Sequence, residues 1–511
     1  MKNQLHNNKR IAKNTCFLYL RTLLVMAVTI YTSRIILDVL GVNDYGIYNV
    51  VGGFVAMFSV LSGTLTAASQ RFIAYELGRE KPEIRKVFST TITIHFALAV
   101  IILVLLESLG VWFLNYKMNI AGERLYAANW VFQCSVITFF ISLVSIPYNA
   151  AIVAFEKMSA FAYISIFEVI CKLGCVFALY YISFDKLIVY AVFMMLVAIL
   201  LRLIYGWYCN IHFAQCRYDL SFDKGTFKTM LGFCGWNFIG SSSAILNGQG
   251  INILINLFFG VALNAARGIA SQVDTAINTF VQNFMMALNP QITKTYASGD
   301  FCYVNSMIII GTKFAFFLLW IFTLPICLNT EFILCAWLKT VPDYAVLFIQ
   351  LGLVYQLLQN LSQCLYTTML ASGRIKKYQI VVGGLSIMAF PAAYIFFSLG
   401  LPVEWGYYSM IIFSVICLVA RLYLMEELLP GFSPRIFLNK ALLPITFSVV
   451  PILIVTITIH SFVQTVNVYG FILESFGSVF ISILCIWFLG LTKREREKLQ
   501  GIAINHIKKF I

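Results

Sequence analysis

Six basic side chains lie inside long apolar stretches of this sequence, where a charge needs a partner, water or a ligand: Arg21, Arg34, Lys172, Arg202, Lys313 and Arg421. A charge at the centre of a bilayer costs roughly 2.5–3.5 kcal/mol unless it is paired or hydrated. Arg21 has no acid three or four residues away on either side. Because a guanidinium can bind two phosphate oxygens at once, Arg21 and Arg34 indicate a phosphate-bearing ligand.

Several of these bases also have explanations that need no ligand. Lys172 follows Glu168 by four residues, and Arg34 precedes Asp38 by four, which is the spacing of a helical ion pair. Lys313 is expected to extend its head group to the nearby cytoplasmic surface, as are Arg202 and Arg421. On a straight helix Arg21 and Arg34 point about 140° apart, so one cavity holds both only if that helix bends.

Polar stripes on three apolar stretches indicate helix faces turned toward a water-filled cavity or toward each other. On the predicted eighth helix, Arg267, Asp274, Asn278 and Gln282 fall within an arc of about 80°. Asn252 and Asn256 on the seventh helix, Asn49 on the second, and Arg71 just after the second are also assigned to a substrate site. The alternative for such stripes is close helix packing, in which amides bond across the interface.

The elements that position these residues are membrane-spanning helices. The 511 residues are 60% hydrophobic and 11% charged, and the mean hydropathy is +0.85. A soluble protein carries about a quarter charged residues, so this chain lacks the polar surface that a globule needs. Apolar runs predict an all-α polytopic protein with fourteen helices over 14–37, 45–70, 88–113, 125–150, 160–182, 187–209, 229–258, 262–293, 306–329, 344–371, 378–399, 404–428, 441–463 and 468–491.

Lys and Arg set the predicted orientation. With a cytoplasmic N-terminus, the inner segments hold 25 of them and the outer side five. The net charge of +14 is therefore a positive-inside signature and not an affinity for nucleic acid. Both termini are predicted in the cytoplasm, where residues 495–511 form an amphipathic surface helix.

An internal repeat divides the predicted helices. QRFIAYELGR (70–79) and QITKTYASGD (291–300) share three residues at one offset, Gln, Tyr and Gly. In the flanks, Gly41-Val42 matches Gly260-Val261 and Gly46-Ile47 matches Gly268-Ile269, so the offsets run from 219 to 222 residues. The predicted organisation is an N-terminal lobe (1–210), a cytoplasmic linker (211–228), a C-terminal lobe (229–430), two further helices (431–491) and a tail (492–511). Because six helices are an even number, both lobes face the same way, and their pseudo-twofold axis lies along the membrane normal.

The sequence lacks the signatures of an enzyme. It contains no P-loop GxxxxGK[ST], and its five His residues form no metal-ligand or Ser/His/Asp-like pattern. Two related bundles around a cleft favour alternating access by a transporter. No cofactor is expected, and proton or sodium coupling is left open.

Two segments of the sequence resemble a known family. SRIILDVLGVNDYGIYNVVGGFVAMFSVLSGTLTAASQRFIAYELGR (33–79) and ALNAARGIASQVDTAINTFVQNFMMALNPQITKTYASGD (262–300) are similar to the Wzx-type polysaccharide repeat-unit flippases of the multidrug/oligosaccharidyl-lipid/polysaccharide (MOP) superfamily. The resemblance implies a V-shaped, MATE-like pair of six-helix bundles. It also implies an undecaprenyl-diphosphate-linked oligosaccharide as substrate, from O-antigen, lipopolysaccharide or capsule biosynthesis. Related peptidoglycan-precursor flippases carry two extra C-terminal helices that hold the lipid tail.

The expected setting is the bacterial inner membrane, where the chain contacts membrane lipids, its lipid-linked substrate and a polysaccharide polymerase, but no nucleic acid. Three alternatives stay open at this stage. A peptidoglycan-precursor flippase would have the same fold and would need the same basic residues for its diphosphate. A drug or cation antiporter predicts buried acids in the first lobe, and a membrane glycosyltransferase predicts a large outer loop.

Overall fold

The computed structural model describes residues 2–59, 83–155, 157–219, 245–372, 375–462 and 468–493, together with 65, 66, 69, 72, 73, 76, 77, 223–225, 227, 242, 243, 495–497 and 500. Of residues 2–23 and of scattered helical positions from 158 to 462, only the backbone is described. Every regular element within these ranges is a helix, and none is a strand. The predicted all-α class is confirmed.

The helices follow the predicted apolar runs. In chain order they are α1 (Lys2–Ala56), α2 (Ile84–Tyr116), α3 (Leu125–Ala154), α4 (Met158–Ala178), α5 (Lys186–His212), α6 (Ile251–Phe259), α7 (Val261–Ala297), α8 (Phe301–Leu328), α9 (Thr330–Trp337), α10 (Ala345–Asn360), α11 (Gln363–Ala371), α12 (Lys376–Ser398), α13 (Trp405–Leu428), α14 (Pro434–Ser461) and α15 (Val468–Gly490). One-turn π segments interrupt α2, α12, α14 and α15, and another, Leu246–Gly250, leads into α6.

Ten of the described helices are long and apolar enough to cross a membrane, and eleven if α10 and α11, bent by 40°, form one span. The predicted count of fourteen is not confirmed. The first two predicted helices share the single element α1, and most of predicted helix 229–258 lies outside the described residues. The polar helix α7 is not among the ten.

Two glycines break the helices where the repeat places them. Gly41 (φ 77°, ψ 171°) divides α1 into two limbs, and Gly260 (φ 87°, ψ −179°) separates α6 from α7. This backbone region is essentially restricted to glycine, because a Cβ would clash there. Each glycine is followed by Val, so the two repeat copies make the same turn with the same dipeptide.

A second pair of repeat-related glycines lets helices approach closely. A Cβ on Gly46, in the second limb of α1, would lie 2.0 Å from the carbonyl oxygen of Val261 on α7. A Cβ on Gly268 of α7 would lie 2.8 Å from the side chain of Asn49 on α1. Both glycines therefore lie where α1 and α7 pack closely, although their contacts with Val261 and Asn49 are not equivalent positions of the repeat.

The described contacts divide the chain into two compact units. The first comprises Met1–Ile269, Leu338–Asp343 and Phe390–Gly406, and the second comprises Ala270–Trp337, Tyr344–Ala389 and Tyr407–Ile511. The predicted lobe boundaries at 210 and 229 stay predictions. The first unit contains two apolar clusters, one around Val50, Leu106 and Phe132 and one around Phe88 and Ile152.

In the second unit, the expectation that Lys313 extends to the surface is wrong. Its side chain on α8 is fully buried, and its Nζ lies 2.8 Å from Glu495 Oε2, just beyond the end of α15. Arg496 donates to the carbonyl oxygen of Leu491 at 2.9 Å. The chain segment after α15 is thereby bound to α8, and burial of the ammonium is compensated by a partner 182 residues away.

Candidate functional site

A polar cavity of about 350 Å³ lies within the first unit, among α1, α3, α4 and α5. Its polar lining comprises Tyr48, Thr66, Thr138, Ser142, Ser145, Asn149, Glu168, Lys172 and Tyr205. Ser142 lies twelve residues before the end of α3, and Lys172 lies fourteen residues after the start of α4. At 1.5 Å per residue, Ser142 is about 18 Å from the end of α3, near the middle of that helix, and Lys172 is about 21 Å from the start of α4 and about 9 Å from its end.

The side of the cavity formed by α3 is a stripe of small polar residues. Thr138, Ser142, Ser145 and Asn149 recur every three or four positions and fall within an arc of about 60° on the helix. Ser145 Oγ donates to the carbonyl oxygen of Ile141 at 2.7 Å. No described residue is hydrogen-bonded to the side chains of Thr138, Ser142 or Asn149. These groups can therefore donate to and accept from a ligand.

Opposite charges meet on the α4 side. Lys172 Nζ lies 2.6 Å from Glu168 Oε1, so the pairing predicted from their spacing is confirmed. Both side chains line the cavity, and they remain 43% and 31% exposed. A partly exposed pair retains donors and carboxylate lone pairs for a ligand, while its net charge is zero.

Aromatic rings complete the cavity. Tyr48 lines it and packs against Tyr190 of α5, with ring centroids 4.7 Å apart. Tyr205, also on α5, lines it as well. Hydroxyl groups, an amide, one neutralised ion pair and aromatic faces together suit a ligand with many hydroxyl groups, such as a sugar.

Four of the predicted site residues lie in a different place, a largely buried polar seam where α1, α6 and α7 meet. Asn256 of α6 is fully buried, and its Oδ1 accepts from the backbone amide of Asn119 at 3.0 Å. Asn264 of α7 donates to the side-chain oxygen of Asn252 at 2.8 Å, and Asn252 Nδ2 lies 3.4 Å from the carbonyl oxygen of Asn49. In this arrangement the amides bond across helices, as the packing alternative predicts.

Arg267 of α7 is 5% exposed and belongs to the same seam. Its Nη2 donates to the carbonyl oxygens of Asn247 and Gly248 at 3.2 Å each. Both acceptors lie in the π turn Leu246–Gly250, where the wider turn displaces carbonyls from the regular helical hydrogen-bond pattern. Arg267 was predicted to face substrate. In this structure its guanidinium instead donates to backbone carbonyls of an irregular helical turn.

The remaining predicted residues are distributed over both units. Asp274, Asn278 and Gln282 lie on the part of α7 that belongs to the second unit. A Cβ on Gly352 of α10 would lie 2.7 Å from Asp274 Oδ2, so this carboxylate packs against the glycine. The side chain of Arg21 and all of Arg71 lie outside the described residues. Their roles, like those of the seam residues, stay predictions.

Arg34 on α1 has no hydrogen bond to another described residue. Asp38, the partner suggested by spacing, is hydrogen-bonded by Lys339 Nζ at 2.6 Å and by the hydroxyl of Tyr180 at 2.9 Å, and Arg34 acts on it through charge alone. The hydrogen bond to Asp38 raises the pKa of Lys339 above its usual value. Between Arg21 and Arg34 the α1 backbone is uninterrupted, because its non-helical residue is Gly41.

The α3 stripe was missed at the sequence level, although the signal was present. The same rule that singled out helices two, seven and eight applies to Thr138, Ser142, Ser145 and Asn149. These positions carry no charge and stand among large apolar residues, so they contribute little to a hydropathy profile. For metal chemistry, the described part of the chain brings no three His, Cys, Asp or Glu side chains together.

Comparison with known proteins identifies the family. The sequence profile of the family described as "Polysaccharide biosynthesis protein" matches residues 11–296, more than half of the chain. None of the curated proteins compared with the chain matches its sequence.

Solved structures agree on the fold. An inward-facing MATE-family multidrug resistance transporter of the MOP superfamily is 15% identical, with a TM-score of 0.62, covering 80% of this chain and 95% of that one. The lipid II flippase MurJ in an inward closed conformation is 11% identical, with a TM-score of 0.63, covering 92% and 98%. A MOP superfamily transporter from Pyrococcus furiosus is 14% identical, with a TM-score of 0.54, covering 81% and 92%.

At these identities the structural matches establish the fold alone, and the profile establishes the family. Two of these structures are described as a multidrug resistance transporter and a lipid II flippase. The chain therefore belongs to the polysaccharide biosynthesis protein family and has the helical membrane fold of the MOP-superfamily transporters.

Proposed function

We propose that this protein is a flippase that moves undecaprenyl-diphosphate-linked oligosaccharide from the inner to the outer leaflet of the bacterial inner membrane. The observation that carries the proposal is the polar cavity of the first unit, lined by Ser142, Asn149 and the Lys172–Glu168 pair. Polar groups on membrane-spanning helices are costly unless a polar ligand or water occupies the cavity. A sugar supplies the complementary donors and acceptors.

The charge of the cavity argues against a cationic substrate. Its lining contains one acid, Glu168, and Lys172 neutralises it at 2.6 Å. A drug or cation antiporter needs a carboxylate that is not already paired with a basic side chain and can bind the cation. The neutral, hydroxyl-rich lining therefore supports carbohydrate over an organic cation.

The diphosphate is assigned to α1. Arg34 has no hydrogen bond to another described residue, because Asp38 binds Lys339 and Tyr180. Its guanidinium can thus bind phosphate oxygens. Because Arg21 lies thirteen residues, or about 20 Å, earlier on the same unbroken stretch of helix, it is proposed to bind the diphosphate at an earlier point of its path. The isoprenoid tail stays in lipid, both termini are cytoplasmic, and a polysaccharide polymerase takes over the product.

Complementation tests the role of the cavity. In a bacterium that lacks its own repeat-unit flippase, wild-type protein should restore surface polysaccharide, and Ser142→Leu should not, because the added side chain fills the cavity. Ser108→Leu is the matched control, since Ser108 lies exposed on α2. Membrane abundance must stay near wild type in all strains. Full restoration by Ser142→Leu would contradict the assignment.

A second candidate is a flippase for a peptidoglycan lipid precursor. The similarity to the lipid II flippase covers 92% of this chain, against 80% for the MATE transporter. Both substrates are sugars on a lipid diphosphate, so the same cavity suits both. Rescue of a strain depleted of its lipid II flippase, without rescue of surface polysaccharide, would favour this candidate.

A further inference from the structure

The two C-terminal helices α14 and α15 contain a buried acid–base pair. His460 Nδ1 on α14 lies 2.5 Å from Glu474 Oε1 on α15. The Glu474 side chain is 2% exposed, whereas that of His460 is 39% exposed. A carboxylate with so little access to water requires compensation for both of its oxygens.

Among the described residues, only one of the two Glu474 carboxylate oxygens has a hydrogen-bond partner. Its second oxygen, Oε2, is buried and has no hydrogen-bond partner there. Glu474 also lines a cavity of about 650 Å³, next to Ile472, Leu473, Phe476 and Phe480. No other side chain of this lining is ionisable. The cavity therefore offers one strong acceptor within an apolar wall.

The surroundings of the cavity face a lipid environment. Leu473, Phe476 and Phe480 of α15 are 68%, 73% and 62% exposed. Side chains of this kind on a helix long enough to span a membrane are solvated by acyl chains. A ligand that reaches Glu474 from this side is itself a lipid.

We propose that the cavity binds a phospholipid with a primary-amine head group. The ammonium donates to Glu474 Oε2, and the acyl chains pack along Leu473 and Phe476. A primary ammonium carries three N–H donors. A trimethylated ammonium carries none and cannot donate a hydrogen bond to Glu474 Oε2. An anionic head group without an amine would place like charges together.

Lipid retention tests the site. The full-length protein is purified from membranes of defined composition, and bound phosphatidylethanolamine, phosphatidylcholine and phosphatidylglycerol are counted by native mass spectrometry. Wild type should retain phosphatidylethanolamine about tenfold more than phosphatidylcholine. Glu474→Gln should abolish this preference, because the amide nitrogen replaces an acceptor. Glu331→Gln, which removes an exposed carboxylate from α9, should leave it unchanged.

A second measurement tests the site in case the Glu474→Gln variant does not fold. Phosphatidylethanolamine added to detergent-solubilised wild type should raise the thermal midpoint, and phosphatidylcholine should not; Glu474→Asp should show a smaller rise. Equal retention of the two lipids, or an undiminished preference in Glu474→Gln, would overturn the proposal and show a self-sufficient His460–Glu474 pair. Both readouts are independent of transport, so they stand or fall separately from the flippase assignment.

Discussion

Removing Glu495 from the buried pair Lys313–Glu495 should lower the free energy of unfolding strongly, and replacing Lys313 as well should restore most of it. Lys313 is fully buried and Glu495 is 10% exposed, with 2.8 Å between Nζ and Oε2. Removing one partner of such a pair leaves an uncompensated buried charge and costs about 3–5 kcal/mol. Replacing both members of such a pair by apolar side chains is often nearly neutral. Glu495→Ala should be more damaging than Lys313→Met, because it leaves the ammonium fully buried without a partner, whereas the Glu495 carboxylate is partly exposed and keeps its hydrogen bond from the Thr492 amide.

The double variant makes the reasoning testable. Glu495→Ala with Lys313→Met should recover most of the stability lost in Glu495→Ala alone, because no charge is left buried. Unfolding is followed in detergent micelles by a denaturant titration of intrinsic fluorescence. Glu427→Ala, which breaks the exposed Lys377–Glu427 pair, is the control and should cost less than about 1 kcal/mol. A double variant no more stable than Glu495→Ala would refute the account of the pair.

The same pair has a defined pH dependence. Burial alone would raise the pKa of Glu495, but hydrogen bonds from Lys313 and the Thr492 amide bring it below its usual value of 4.5. A carboxyl with a lowered folded-state pKa contributes stability above its unfolded pKa and loses that contribution as the pH falls through the folded value. The stability difference between wild type and Glu495→Ala should therefore be full near neutral pH and shrink below about 4.5.

Three further predictions address the turns, an ion cluster and the phosphate-binding helix. Gly41→Ala should cost about 1–3 kcal/mol through backbone strain alone, since nothing lies within 4 Å of the added Cβ, and its unfolding midpoint tests this. Arg124 bonds both Asp44 and Asp185, so Arg124→Ala should lower the thermal midpoint more than Asp185→Asn does; equal effects would contradict the shared role. Arg21→Ala should abolish surface polysaccharide at normal abundance and Arg21→Lys should restore part of it, whereas two near-wild-type strains would remove Arg21 from the site.

Local sequence patterns predicted those features that depend on neighbouring residues. Apolar runs located the helices, and the Glu168–Lys172 spacing predicted an ion pair that forms at 2.6 Å. The Gly-Val repeats, noted only as evidence of duplication, proved to mark two turns of one conformation. Each of these depends on contacts within a few residues, or on a backbone region that essentially only glycine occupies.

Features that depend on tertiary contacts or irregular backbone could not be predicted in this way. Arg267 binds carbonyls displaced by a π turn, and helical periodicity gives no sign of such a turn. Lys313 finds its partner 182 residues away, beyond the reach of any spacing rule. The α3 stripe was accessible to the periodicity argument, but its uncharged residues were outweighed by the charged positions elsewhere.

The central claim is that the protein moves a lipid-linked oligosaccharide across a membrane through the cavity of the first unit. The most direct measurement reconstitutes the purified protein in liposomes containing undecaprenyl-diphosphate-linked oligosaccharide and follows the fraction that becomes accessible to a lectin on the opposite side. Wild type should increase this fraction well above protein-free liposomes, Ser142→Leu should not, and Ser108→Leu should match wild type. No increase with wild type, or an equal increase with Ser142→Leu, would contradict the account.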